Sequence, residues 1–280
     1  MNHTPECQDA LRKIAAEIEA DPYDPLLRFR MGMISEEAGD NESARDCYAE
    51  GIRLDPMYAL GYTLLGWALA KLKRYAEAKD ALETGLSLKV KTTTYVYLGA
   101  IHECLRETAE AIKAYECAIE ADPDFSEPYL LLARLVREND EPKAAALLER
   151  AIHLDADYGE AYSELGAVCL GLGEYERAEQ LLRRAVDLGA ELLWSHLYLG
   201  NALWILEKLD EAEAEFKKAI PFDLSSFALS QLGKFYLAIG RHREAEQCLV
   251  ESLETDPSNL SASEELEDAK RRIAEESEPD

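Results

Sequence analysis

Glycine or alanine returns along this 280-residue chain every 33 or 34 positions, at Gly32, Gly66, Gly99, Ala133, Gly166, Gly200 and Gly233. Eleven or twelve residues after each stands an alanine: Ala44, Ala78, Ala111, Ala144, Ala178, Ala212 and Ala245. Seven residues further comes another small residue: Gly51, Gly85, Ala118, Ala151, Ala185, Ala219 and Ser252. Three small-residue columns in step over seven periods specify a stacked array, in which each unit buries its apolar face against its neighbours.

The period 193–225 shows what one unit contains. A first helix is predicted from Trp194 to Glu207, with Leu197, Leu199, Leu203 and Leu206 covering more than one face. A turn follows over Lys208 to Asp210, and a second helix then carries Ala212, Phe216 and Ala219 on one stripe. Glycine inside a helix costs about 1 kcal/mol relative to alanine, so its recurrence implies close backbone approach. Gly200 is expected where the second helix crosses, with Phe216 among the large residues filling the space around the notch. The other large second-helix residues are Tyr48, Leu82, Tyr115, Leu148, Leu182 and Leu249. Asp55-Pro56, Asp122-Pro123 and Asp256-Pro257 end units, because proline lacks the amide that a continuing helix needs.

These columns resemble the tetratricopeptide repeat (TPR). Tyr62, Tyr95, Tyr129 and Tyr162 occupy its first-helix aromatic position. Leu65-Gly66, Leu98-Gly99, Leu165-Gly166, Leu199-Gly200 and Leu232-Gly233 match its Leu-Gly pair. The resemblance implies an all-α, right-handed α-solenoid superhelix of antiparallel helix pairs. The units are set at 25–58, 59–91, 92–125, 126–158, 159–192, 193–225 and 226–259. Residues 1–24 are read as a half-repeat cap with a helix over 6–20. Residues 260–275 are read as a solvating C-terminal helix, and 276–280 as an acidic, disordered tail. Unit four departs from the pattern with Ala133 and a shortened turn at Asn139 to Pro142; unit two ends in Lys89-Val90-Lys91 without its proline.

In the family the first helix of each pair lines the concave face, which makes this face the expected binding groove. Helical spacing from the glycine column then selects its residues. Phe29, Arg30, Met33, Trp67 and Tyr97 come from the first three units, with Leu26, Lys71 and Glu103 beside them. Arg134 and Arg137 form a charged middle with Glu127, Glu160 and Glu164. Trp194, Tyr198, Asn201, Trp204, Phe227 and Lys234 come from the last two units. All three tryptophans fall on groove positions, while tyrosine holds the core aromatic column. Exposed indoles are enriched at the energetic anchors of interfaces. A partner peptide or amphipathic helix with spaced apolar anchors suits such a groove. Arg134 and Arg137 either receive an acidic side chain or pair with Glu127, Glu138 or Glu160. Asn201 is placed to hold a peptide backbone. The Lys-Asn set that clamps a C-terminal carboxylate in some relatives is missing from units one to three.

Thirty basic against 56 acidic residues leave a net charge of −26. Such a surface repels phosphate backbones and anionic lipid, which disfavours nucleic acid and membrane and favours a basic polypeptide. No secretory signal, membrane span or C-x-x-C pair is found, and the six cysteines suit reduced thiols in the cytosol. No phosphate loop, zincin motif or nucleophile elbow is found either, so no catalytic residue, metal or cofactor is assigned. The paired acids Glu36-Glu37 and Glu264-Glu265 read as solvated helix faces. The expected function is a non-catalytic cytoplasmic adaptor that binds a protein or peptide. The alternatives are an acidic inhibitor or immunity-type protein masking a basic partner, and a signalling-peptide receptor.

Overall fold

The computed structural model describes residues 5–190, 192–222 and 225–277, and among them every regular element is an α-helix, sixteen in all. The chain divides into two compact units, Met1–Leu135 and Val136–Asp280. The first holds α1 (Pro5–Ala20), α2 (Pro25–Glu37), α3 (Asn41–Leu54), α4 (Ala59–Lys71), α5 (Tyr75–Leu88), α6 (Thr92–Cys104), α7 (Thr108–Ala121) and nearly all of α8 (Glu127–Val136). The second holds α9 (Glu141–Leu154), α10 (Gly159–Gly171), α11 (Tyr175–Asp187), α12 (Leu192–Ile205), α13 (Leu209–Ala219), α14 (Ser225–Ala238), α15 (His242–Thr255) and α16 (Leu260–Ser277).

Within each unit the helices pack as antiparallel pairs, α2 with α3, α4 with α5 and α6 with α7 in the first, and α10 with α11, α12 with α13 and α14 with α15 in the second. The glycine column sets how closely they pack. A Cβ built on Gly32 would lie 2.4 Å from the Tyr48 ring, on Gly66 2.6 Å from Leu82, and on Gly99 2.4 Å from Tyr115. In the second unit the same atom would meet Leu182 from Gly166 at 2.5 Å, Phe216 from Gly200 at 2.9 Å and Leu249 from Gly233 at 2.7 Å. Each partner stands sixteen residues after its glycine. The alanines twelve residues on are fully buried beside them. Small residues are therefore required where the helices touch, and one large side chain per pair fills the resulting notch.

The loops between pairs are built on aspartate more than on proline. Asp55, Asp122, Asp155 and Asp256 each leave their helix in an extended or near-extended conformation. Their carboxylates accept the amide two residues on, at 3.0, 3.2, 3.0 and 3.0 Å. Asp155 precedes Ala156 and still makes this turn, so the aspartate alone suffices. Inside the pairs most first helices end on a left-handed residue, among them Gly39 and, at higher conformational cost, Lys73, Arg106 and Glu207. The shortened turn at Asn139 lacks that residue; Asp140 instead caps α9 by accepting the Lys143 amide at 3.0 Å.

Three boundaries differ from the sequence reading. The helix expected over Trp194–Glu207 runs from Leu192 to Ile205, because Glu207 adopts φ 58° and ends it early. Second, α13 begins at Leu209, inside the expected turn. Third, α16 continues through Ser277 rather than stopping at 275, and Glu276 Oε1 lies 2.6 Å from His242 Nδ1 on α15. That contact holds the last turn of α16 in place; the rest of the acidic tail lies outside the described residues.

Candidate functional site

Relative to its glycine, each first helix carries a stripe at positions −6, −2, +1 and +5. At 3.6 residues per turn this stripe lies roughly 100–160° around the helix from the glycine, which itself faces the second helix. Consecutive first helices touch within each unit, α4 with α6 and α10 with α12 and α14 in turn. Their stripes therefore lie side by side and form a continuous surface in each unit.

In the first unit this surface is a pocket of about 310 Å³ lined by Met33, Glu36, Glu37, Leu64, Trp67, Lys71 and Tyr97. Met33 and Trp67 hold the +1 position on successive helices, Leu64 and Tyr97 the −2 position, and Glu37 and Lys71 the +5 position. The Trp67 and Tyr97 rings stack at 4.7 Å with 17° between their planes. Lys71 Nζ lies 5.2 Å from the Trp67 ring centre and donates to Glu36 Oε1 at 2.7 Å. Both rings are half-buried and Met33 is 48% exposed. Burial, then the nearby Glu127 and Glu36 carboxylates, raise the Tyr97 hydroxyl above its ordinary pKa.

In the second unit the surface is an aromatic patch on α12 and α14. Trp194 stacks on Tyr198 at 6.0 Å and tilts against Phe227 at 5.6 Å. Trp194 is 37% and Phe227 38% exposed. Ile205, at the +5 position near the other end of α12, is exposed too and was not singled out from the sequence. Asn201 is half-buried at +1.

Several expected site residues have other roles. Phe29 is 4% exposed, and Gly51 and Gly61 make room for its ring between α3 and α4. Trp204 is half-buried and meets the buried Phe235 ring edge-on at 5.7 Å. Arg137 donates to Glu164 Oε2 at 2.8 Å, a partner other than the three considered. These three sit at −3, +4 and +4, only roughly 40–60° from the glycine direction and so nearer the face that packs against the second helix. Lys234 lies on the stripe but pairs with Glu265 at 3.0 Å, and Arg30 pairs with Glu17 at 2.8 Å. Arg134, at +1, is half-buried.

Two acids read as solvated are half-buried acceptors. Glu36, whose side chain is 15% exposed, accepts from the Tyr48 hydroxyl at 2.9 Å as well as from Lys71. Glu265 accepts from Lys234 and, at 3.2 Å, from Ser230. The first had a signature in the sequence. Where the second helix carries tyrosine, at Tyr48 and Tyr115, the residue four after the glycine is Glu36 or Glu103. Where it carries leucine or phenylalanine, that position holds Ala70, Leu170, Trp204 or Leu237. Tyr115 also donates to Glu103.

No group of His, Cys, Asp and Glu able to hold a metal ion occurs among the described residues. No helix among them is long and apolar enough to cross a membrane.

Comparison with known proteins places these features. Four tetratricopeptide repeat models match, at residues 29–86, 135–197, 196–223 and 228–262, together more than half of the chain. The human protein O-mannosyl-transferase TMTC3 is 24% identical over 246 residues, covering 80% of this chain and 26% of its own. The bovine BBSome complex member BBS4 is 26% identical over 155 residues, covering 55% of this chain and 30% of its own. The crystal structure of the APC/C hetero-tetramer Cut9–Hcn1 superposes with a TM-score of 0.70 at 19% identity, over 94% of this chain and 52% of that one. The chain spans only 17–26% of the length of the first three curated relatives it matches.

Proposed function

The chain belongs to the tetratricopeptide-repeat family, whose arrays serve as protein-interaction scaffolds, and we propose that it recognises its partner through the aromatic stripes of its first helices. One observation carries this reading. At partly exposed positions Trp67 stacks on Tyr97 in the first unit, and in the second Trp194 stacks on Tyr198 and tilts against Phe227. Preordered aromatic surface of this kind supplies contact area at low entropic cost, as interface anchors do. A peptide or amphipathic helix with spaced apolar side chains suits it, and the reading assigns no catalytic step to the chain. It places the protein in the cytoplasm, where its thiols stay reduced. Among the relatives, BBS4 is a member of a complex and Cut9–Hcn1 is a hetero-tetramer, which supports assembly as the setting.

The test is capture from native extract by the immobilised chain, by two single variants and by the double variant that combines them. Trp67→Ala and Trp194→Ala are each expected to weaken partner binding by at least about 30-fold, the size of an interface hot spot, with little change in melting temperature. Trp204→Ala is expected to behave differently, lowering stability by about 2 kcal/mol because it uncovers Phe235. Undiminished capture by the Trp67/Trp194 double variant would rule the reading out. The net charge of −26 favours a competing mode, masking of a basic partner by charge. Ionic strength separates the two: an aromatic-anchored complex should lose less than about tenfold in affinity between 50 and 500 mM salt, whereas charge masking should lose far more.

A further inference from the structure

We propose that the Trp67 pocket receives a basic side chain, arginine or lysine, flanked in the partner by an aliphatic one; this rests on the reading of the first-helix stripes as the binding surface. The pocket is lined by two carboxylates, Glu36 and Glu37, and one ammonium, Lys71. Lys71 is already bonded to Glu36, itself mostly buried and further tied to Tyr48. Glu37 is exposed and has no ion-pair partner among the described residues. The pocket therefore holds one uncompensated negative charge at its open edge.

The three classes of incoming side chain fare differently here. An acidic one meets Glu37 with no vacant cation to answer it, since Lys71 is engaged. A purely apolar one covers Glu37 and leaves its charge unpaired, which is costly. A basic one satisfies Glu37 and lies beside an indole that already holds Lys71 within cation–π range. Its own methylenes, and an aliphatic neighbour, are matched by the exposed Met33 and by Leu64. The overall charge of −26 would steer such a partner in.

Random-peptide display against the full chain supplies the probe. The selected peptides are then synthesised with arginine and with citrulline, its neutral isostere, and titrated by fluorescence polarisation. Selected sequences are expected to place Arg or Lys next to Leu, Ile or Val. The citrulline exchange should weaken binding by about tenfold or more, and Glu37→Gln should weaken the arginine form equally while leaving the citrulline form unchanged. Glu37 is exposed, so this variant keeps the fold; Trp67→Ala is checked by its melting curve. Peptides that need Trp67 but ignore both the citrulline exchange and Glu37→Gln overturn the inference and leave the stripe reading standing. Peptides indifferent to Trp67→Ala and to Trp194→Ala, or no selected peptide at all, overturn both.

Discussion

Gly99→Leu is expected to lower the stability of the chain by about 3 kcal/mol or more, at the upper end for overpacking a core. A Cβ at Gly99 would already stand 2.4 Å from one Tyr115 ring carbon and 2.8 Å from two others. Tyr115 has no accessible surface and its hydroxyl is bonded to Glu103, so the ring has nowhere to retreat. Leucine adds three more carbons in the same direction, and α6 and α7 must move apart. In urea titrations followed by circular dichroism the midpoint should fall sharply. Gly39→Ala provides a contrast. Nothing lies within 4 Å of its added carbon, but its φ of 78° strains any side chain, at about 1–2 kcal/mol. The nesting argument also predicts coupling. Gly99→Ala and Tyr115→Ala together should destabilise by less than the sum of the two, since the smaller residue opens the space that the methyl needs. Strictly additive losses would show that the glycine and the ring do not share one notch.

The periodic columns made the architecture readable, because the physics that selects small residues at helix crossings acts identically in each pair. Phe216 was read as one of the large residues around the Gly200 notch, and the structure shows the same pairing, sixteen residues apart, in six helix pairs. The surface was legible only in part. Trp67, Tyr97, Trp194, Tyr198 and Phe227 lie on the lining stripe, whereas Phe29, Trp204 and Arg137 were assigned to it from positions turned toward the core. The error has one cause: on a helix buried on two sides, a residue one position off the stripe swings roughly 100°. Glu36 was missed for a different reason. An acidic residue reads as solvated unless its hydrogen-bond donor is identified, and here the donor, Tyr48, is on the next helix. Asp155 shows the converse, a turn formed by aspartate where proline was the cue. The identity of the partner was not encoded in any column, because a stripe that lines a surface follows the ligand and not the repeat.

Glu213→Ala is expected to destabilise the second unit by about 1–3 kcal/mol, the range for leaving a buried hydrogen-bonding group without its partner. Glu213, on α13, accepts from Lys217 Nζ at 2.6 Å and from the Tyr236 hydroxyl at 2.8 Å, and its other oxygen accepts from Arg241. Tyr236 on α14 is 3% exposed, and Arg241 lies over its ring at 4.4 Å. Removing the carboxylate leaves a buried hydroxyl and a guanidinium without their acceptor. The same geometry fixes the pH dependence. Burial alone would raise the carboxyl pKa, but the hydrogen bonds from Lys217, Arg241 and Tyr236 outweigh it and bring it down to about 2 from the ordinary 4.5. A carboxyl whose folded pKa lies below its unfolded one contributes stability that is complete above about pH 4.5 and lost as pH falls toward 2. Glu215, Glu179 and Glu244 are lowered too, so wild type must be compared with Glu213→Gln, which keeps the shape and abolishes this titration. The melting temperature of the wild type should fall more steeply than that of the variant between pH 4.5 and 2, and the two curves should converge at the acid end. Because α14 carries Phe227, the aromatic patch of the second unit should loosen with it, and binding dependent on Trp194 should weaken over that acid range. Parallel melting curves for wild type and Glu213→Gln would mean that the carboxylate is solvated and that α13 and α14 are held together by apolar packing alone.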